Sequence, residues 1–280
     1  GNYKDGNQDG KWTKWYENGQ IKSEGIYKDG KKDGKWTEWY DNGQKWKEKN
    51  WKDGKLDGKY TRWYKNGQIK SEDNYKDDKA DGVFTWWYEN GQIKFEENYK
   101  DGKEDGIHTS WYGSGSIMSE RNYKDGEFLS ETKYEYHGNG QIKSEKNYKD
   151  GKKDGKWTEW YDNGQIKSKD NYKDDKADGV FTWWYENGQI KFEENYKDGK
   201  EDGIHTSWYG SGSIMSERNY KDGEFLSETK YEYHGNGQIK SEKNYKDGEK
   251  HGKWTYWDEN GQIMSEKNYK YGMVLVGTVN

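Results

Sequence analysis

Ring-bearing side chains recur along this chain at a fixed phase in an otherwise polar sequence. Within residues 33–52, Gly34-Lys35-Trp36-Thr37-Glu38-Trp39-Tyr40 is rich in the aromatic and β-branched residues that favour strands. Asn42-Gly43 follows. That dipeptide is a strong hairpin signal, because both central residues of a type I′ turn need positive φ. A second strand-forming run then leads to Trp51. The pattern predicts one β-hairpin per repeat.

The opening aromatic of the pattern returns at Tyr3, Tyr27, Trp51, Tyr75, Tyr99, Tyr123, Tyr148, Tyr172, Tyr196, Tyr220, Tyr245 and Tyr269. The step is 24 residues, with two steps of 25 after Tyr123 and Tyr220. Residues 73–151 and 170–248 are identical over 79 positions, an offset of four repeats. A repeat array stacks neighbours and presents a long surface. Any site built inside one copy of the duplicated block exists twice, which favours multivalent contact over a unique active site.

Alternation along a strand assigns the faces. With a two-residue Asn-Gly turn, Tyr64 stands opposite Ile69 and Trp63 opposite Lys70. One face then collects the first Trp of a repeat (Trp12, Trp36, Trp157, Trp254), the Tyr before the turn and the Ile after it. The opening aromatic joins them across from a glycine such as Gly58 or Gly82, a ring over a strand glycine being a stabilising device. The other face collects the second Trp, at Trp15, Trp39, Trp63, Trp87, Trp111, Trp160, Trp184, Trp208 and Trp257, among Lys, Glu and Thr. The segment K-D-G-K-x-D-G reads as the loop between repeats. The repeats at residues 132–137 and 229–234 carry one extra residue, which predicts a bulge there.

These elements predict an all-β fold: an elongated single-layer antiparallel sheet of tandem 24-residue hairpins, twisted or coiled into a ribbon. The array covers residues 1–280 as a single domain of about eleven hairpins, closed by a C-terminal cap over 269–280 whose aliphatic run at 273–279 reads as a strand. Gly1-Asn2-Tyr3 matches the end of one repeat and the start of the next, so further sequence is expected upstream.

Composition changes what kind of core is possible. Only 28% of residues are hydrophobic, 36% are charged and the mean hydropathy is −1.66, values typical of disordered chains. Yet 18% are aromatic, with 17 Trp and 26 Tyr at fixed phase. The expected core is therefore a ladder of rings, not an aliphatic interior. There is no Cys and no Pro, which removes disulfides and Cys-based metal sites. The net charge of −5 covers an even mixture of Lys, Asp and Glu, so no face has the basic character of a nucleic-acid or anionic-lipid binder.

Candidate chemistry is sparse. His108, His137, His205, His234 and His251 have no second His at metal spacing, and His108 and His205 stand where other repeats have Trp, which implies packing. Paired Asp-Gly loops such as Asp101-Gly102 with Asp105-Gly106 lack the oxygen-ligand spacing of a calcium loop, and Lys sits between the acids. No carboxylate pair is singled out for acid–base work and no nucleophile context appears. No enzyme activity, metal or cofactor is expected. The row of second Trp residues is the candidate binding site. Trp and Tyr dominate interface hot spots, and repetition adds weak contacts together. Covered by Lys and Glu stems, the same row is a structural ladder.

The signature D-G-x-W-x-x-W/Y-Y-x-N-G-x-I/L-x-x-E-x-x-Y, seen at residues 33–43, at 154–172 and along essentially the whole chain, resembles the MORN-variant repeat family (MORN_2). These are bacterial relatives of the membrane-occupation-and-recognition-nexus repeat, a group that includes YwqK-like antitoxins. The resemblance implies a non-enzymatic single-layer β-ribbon with roles in protein–protein contact. Some such proteins neutralise toxins, and others are secreted or surface proteins of host-associated bacteria. The expected role is a scaffold that binds a partner protein or glycan, secreted or displayed at a bacterial surface, with no nucleic-acid and no strong membrane binding. An intracellular antitoxin is the first alternative. Self-assembly end to end through exposed edge strands is the second.

Overall fold

The computed structural model describes residues 1–275. The protein is all-β, with antiparallel strands and no helix among the described residues. It divides into two compact units, Gly1–Lys133 and Tyr134–Asn280. In each unit, tandem hairpins pair strand against chain-neighbouring strand.

The repeat at Lys55–Trp63 and Ile69–Lys76 shows the local logic. Gly58 pairs with Tyr75, Tyr60 with Asp73 and Arg62 with Ser71, as alternation predicts. The register then shifts, and Trp63 pairs with Ile69. The expected facing of Tyr64 with Ile69 and of Trp63 with Lys70 is thus exchanged. Lys70 Nζ instead lies 5.5 Å from the Tyr64 ring centre.

The cause is the turn. Gly67 N–H donates to the Tyr64 carbonyl (3.0 Å), and Tyr64 N–H donates to the Gln68 carbonyl (2.8 Å). Only Gly67 has positive φ (87°); Asn66 does not. This is a three-residue loop, a type I turn followed by a left-handed glycine, and not a two-residue type I′ turn. The register shift at Lys70 absorbs the extra loop residue, so pairing from Ser71 onward keeps the predicted faces and only the turn end changes, with Ile69 set against Trp63.

The type I′ turn lies at the other end of the repeat. Asp53 and Gly54 both have positive φ (50° and 86°), and Lys52 pairs with Lys55 around them. The expected K-D-G-K-x-D-G loop is correspondingly shorter. Only its first Asp-Gly turns the chain. The second lies inside the next strand, where Gly58 has φ 102° and the register jumps between Lys49 and Trp51. In the 25-residue steps that second Asp-Gly is missing. The strands Glu127–Tyr136 and Glu224–Tyr233 shift by one residue at Leu129 and Leu226, upstream of the bulge expected at 132–137 and 229–234. Of the expected C-terminal cap, Met273–Val274 pairs with Tyr269 and Lys270. Residues 276–280 lie outside the described part.

The ring ladder forms as expected. In the first unit, Tyr75, Phe84, Tyr99, His108 and Tyr123 follow one another with centroids 4.6–5.6 Å apart. In the second, Tyr148, Trp157, Tyr172 and Phe181 do the same at 5.1–5.3 Å. Tilted and edge-on pairs of this kind contribute about 0.5–1.5 kcal/mol each beyond area burial. Lysines join in: Lys32 Nζ sits 4.6 Å from the Trp36 ring and 4.8 Å from Trp51. Beside the ladder the most buried side chains are small and polar, led by Ser71, Asp73, Ser144 and Ser241. The core is therefore rings packed alongside hydrogen-bonded Ser and Asp.

Candidate binding surface

On the face opposite the ladder, each second Trp is set by the register shift against the residue after the turn. Trp15 pairs with Ile21, Trp63 with Ile69 and Trp111 with Ile117 in the first unit. Trp160 pairs with Ile166, Trp184 with Ile190, Trp208 with Ile214 and Trp257 with Ile263 in the second. Trp87 pairs with Ile93, while Trp39 meets Lys45. The row expected to stand among charges is thus an apolar Trp–Ile stripe. Trp15 is 61% exposed; the other eight are half-buried. Lysine stems cover some of them: Lys45 Nζ lies 5.2 Å from the Trp63 ring and Lys169 Nζ 5.8 Å from Trp184.

The backbone of the same Trp residues is held by the next ring in register. Tyr16, Tyr40, Tyr64 and Tyr88 donate their hydroxyls to the carbonyls of Trp39, Trp63, Trp87 and Trp111 (2.7–3.0 Å). Tyr161 and Tyr185 do the same to Trp184 and Trp208. His137 and His234 take the Tyr position and bond through Nε2 to Trp160 and Trp257 (2.9 Å each). A carbonyl only accepts, so Nε2 carries the proton in both. His108 and His205, at the first-Trp position, likewise bond through Nε2 to the carbonyls of Asn98 and Asn195, as the Trp157 indole does to Asn147. Four of the five histidines thus replace a ring and keep its hydrogen bond.

Next to the Trp–Ile stripe runs a ladder of Thr and Glu. Thr37 pairs with Glu24 and Glu48, and Thr61 with Glu48 and Glu72. Lys11, Lys35 and Lys59 bridge to Glu24, Glu48 and Glu72 at 2.8–2.9 Å, and Lys253 bridges to Glu266. Burial works to raise the Glu48 pKa, but Lys35 and Lys45 overcome it and hold the carboxyl below its ordinary value. In the duplicated blocks this lysine position becomes Val83 and Ile107, and again Val180 and Ile204. These four are 40–55% exposed. Comparing repeats position by position reveals that change; a search for reactive residues does not.

The Asp-Gly loops bind within the protein. Asp105 accepts from Lys124 Nζ (2.9 Å) and from the Asp125 N–H (3.3 Å), which hold its carboxyl below the usual range. No group of three or more side chains that would hold a metal ion occurs among the described residues. Among the described residues no helix is long and apolar enough to cross a membrane.

Eleven segments of the chain match the MORN repeat variant: residues 8–29, 32–53, 56–77, 80–101, 104–125, 132–150, 153–174, 177–198, 201–222, 229–247 and 250–271. The chain belongs to the MORN repeat variant family. The matched segments run from the bulged strand of one hairpin to the type I′ turn of the next. The two 19-residue matches, 132–150 and 229–247, begin after the one-residue shift at Leu129 and Leu226. Comparison of this MORN-repeat chain with curated proteins gives no match. Among solved structures, the crystal structure of TcdB2-TccC3-TEV is similar at 12% identity and a TM-score of 0.26, over 91% of this chain and 16% of that one. That of TcdB2-TccC3-Cdc42 is similar at 11% identity and 0.24, over 92% and 15%. The MORN-repeat chain thus spans about a sixth of the length of those chains, and at these TM-scores the likeness carries no argument.

Proposed function

We propose that this MORN repeat protein is a non-enzymatic scaffold that binds a partner protein through the Trp–Ile face, and that a bacterium secretes it or displays it at its surface. The observation that carries this reading is the replacement of the bridging lysine by exposed Val83, Ile107, Val180 and Ile204. It widens the Trp87, Trp111, Trp184 and Trp208 stripe into one apolar patch per unit. Exposed apolar patches mark interaction sites. Glu96 and Glu193 stand in the same face without the lysine found beside Glu48, so the fitting partner surface is apolar with a basic rim. Two equal patches make binding multivalent.

The test captures partners on the immobilised chain, from lysate of the producing cell and from host-surface extract. The control carries Lys at 83, 107, 180 and 204 (V83K, I107K, V180K, I204K). Lysine occupies that position in other repeats, so the hairpins tolerate it. Host-surface proteins lost by the control support the reading. Equal retention overturns it. A single stoichiometric partner from the producing cell would instead favour the YwqK-like antitoxin role.

A further inference from the structure

On the ladder face a second cross-strand row runs beside the rings. It passes through the residue between Thr and the second Trp, which the repeats vary while they keep its neighbours. In the first unit this row reads Arg62, Ser71, Trp86, Phe95, Ser110, Ser119, each paired with the next. Two large rings are followed by two serines. The step opens a concavity of about 220 Å³, lined also by Glu97, His108, Arg121 and Tyr123.

Its floor and walls offer a particular set of groups. Ser110 and Ser119, both buried, share a hydrogen bond of 2.8 Å between their Oγ atoms. Glu97 accepts from the Tyr99 hydroxyl (2.8 Å), and a carboxylate has acceptor sites left after one such bond. Arg121 uses Nε on Glu131 (2.8 Å), one of the five N–H groups of its fork. His108 donates from Nε2 to the Asn98 carbonyl (3.0 Å), and its Nδ1 lies 3.7 Å from the Glu104 carboxylate. Phe95 and Tyr123 supply aromatic walls.

The walls carry one cation, Arg121, and one carboxylate, Glu97, and this balance disfavours a bare anion or cation. Donors and acceptors alternate around rings, which disfavours a purely apolar guest. The volume falls below the roughly 300–1,000 Å³ of sites for drug-sized ligands, so a single ring fits and a chain does not. A neutral ring with an apolar face and a rim of hydroxyls matches these walls. The second unit repeats the arrangement: Ser207 with Ser216 (2.8 Å), Tyr196 on Glu194 (2.7 Å), His205 on Asn195 (2.9 Å) and Arg218 on Glu228 (2.8 Å). We propose that the hollow at Ser110 and Ser119, and its copy at Ser207 and Ser216, each hold one pyranose ring of a saccharide.

The test is saturation-transfer NMR on the full chain with methyl glucoside, methyl galactoside, methyl mannoside and N-acetylglucosamine. The variants are Ser110→Trp and Ser207→Trp, singly and together. The sheet already accepts Trp here: Trp86 lies between Ser71 and Phe95, as Ser110 lies between Phe95 and Ser119. Circular dichroism verifies folding. At least one glycoside is expected to show transfer, reduced about twofold in each single variant and abolished in the double variant. No transfer from any of the four to the wild-type chain, or undiminished transfer to the folded double variant, overturns the proposal. The hollows lie on the face opposite the Trp–Ile stripe, so either outcome leaves the protein-binding test above independent.

Discussion

The Tyr64 hydroxyl donates to the carbonyl oxygen of Trp87, 2.7 Å away and 23 residues further along the chain. Neither residue is unusual alone. The bond matters because it ties one hairpin to the next at the turn end, where the ladder has just shifted register. The turn asparagines act beside it: Asn18 Nδ2 reaches the Asp41 carbonyl (3.1 Å), while its Oδ1 accepts from the Gln20 N–H (3.0 Å). Asn50 and Asn74 perform the corresponding task at the opposite end, on the carbonyls of Lys59 and Val83. Most repeats are thus fastened to their successors by side chains at both ends, although Ile26 stands where this Asn is found elsewhere, in a protein with few buried aliphatic residues.

Removing the Tyr64 hydroxyl should therefore loosen one junction. Tyr64→Phe is expected to lose about 0.5–1.5 kcal/mol, the net value of one hydrogen bond. Amide exchange around Trp87 should accelerate more than exchange in distant repeats. His137→Tyr, which restores the ring found in other repeats, should leave exchange near Trp160 unchanged or slower. Uniform acceleration along the chain after Tyr64→Phe would show that the bond is not a local fastener.

The turn glycines should be replaceable only at a backbone cost. Gly67 and Gly91 have φ of 87° and 85°. A Cβ at Gly67 would lie 2.9 Å from Gln44 Oε1, whereas Gly91 has nothing within 4 Å. Left-handed backbone costs an L-residue about 1–2 kcal/mol. Gly67→Ala and Gly91→Ala should lose similar amounts in urea unfolding, since the Gln44 side chain can swing away. A much larger loss at Gly67 would locate the cost in crowding instead.

Burial raises the pKa of both copies of one aspartate in the duplicated blocks, and their different neighbours make the two respond differently to pH. Asp73 is fully buried with Oδ2 on Arg62 (2.7 Å). Asp170, its copy, meets Glu159 where Arg62 would be, because residue 159 precedes the duplicated segment. Burial, then the Glu159 charge, pushes the Asp170 carboxyl up to about 6, against an unfolded value of about 3.9. A pKa raised by folding means stability that is present below about pH 4 and lost as pH rises through 6. Asp170→Asn should remove that slope and make the chain more stable at pH 7.5 than the parent in thermal unfolding. Glu48, held below its ordinary value, works in the other sense: its contribution is present at neutral pH and lost in acid. A parent and Asp170→Asn pair with parallel pH curves would contradict the assignment.

Much of this protein is written in its period. Ring spacing, the glycine opposite each opening aromatic and the hairpin per repeat all follow from local alternation, because a strand fixes side-chain direction every second residue. The packing of His108 and His205 was legible too, since each stands at a ring position. The candidate Trp row was legible as a row but not in its company. Which neighbours it meets depends on whether the Asn-Gly loop holds two residues or three, and both loops accept the same dipeptide.

The sequence by itself determined the repeat, the all-β hairpin array and the ring ladder, since these depend only on periodicity and propensity. Only the tertiary structure decided the register at the turn ends. It placed the type I′ turn at Asp53-Gly54, turned the Ile residues towards the second Trp, and set Glu159 against Asp170. Register is a balance between hydrogen-bonded pairing, turn geometry and the fastening of each hairpin by the next, and a one-residue change in that balance exchanges the two faces of the sheet.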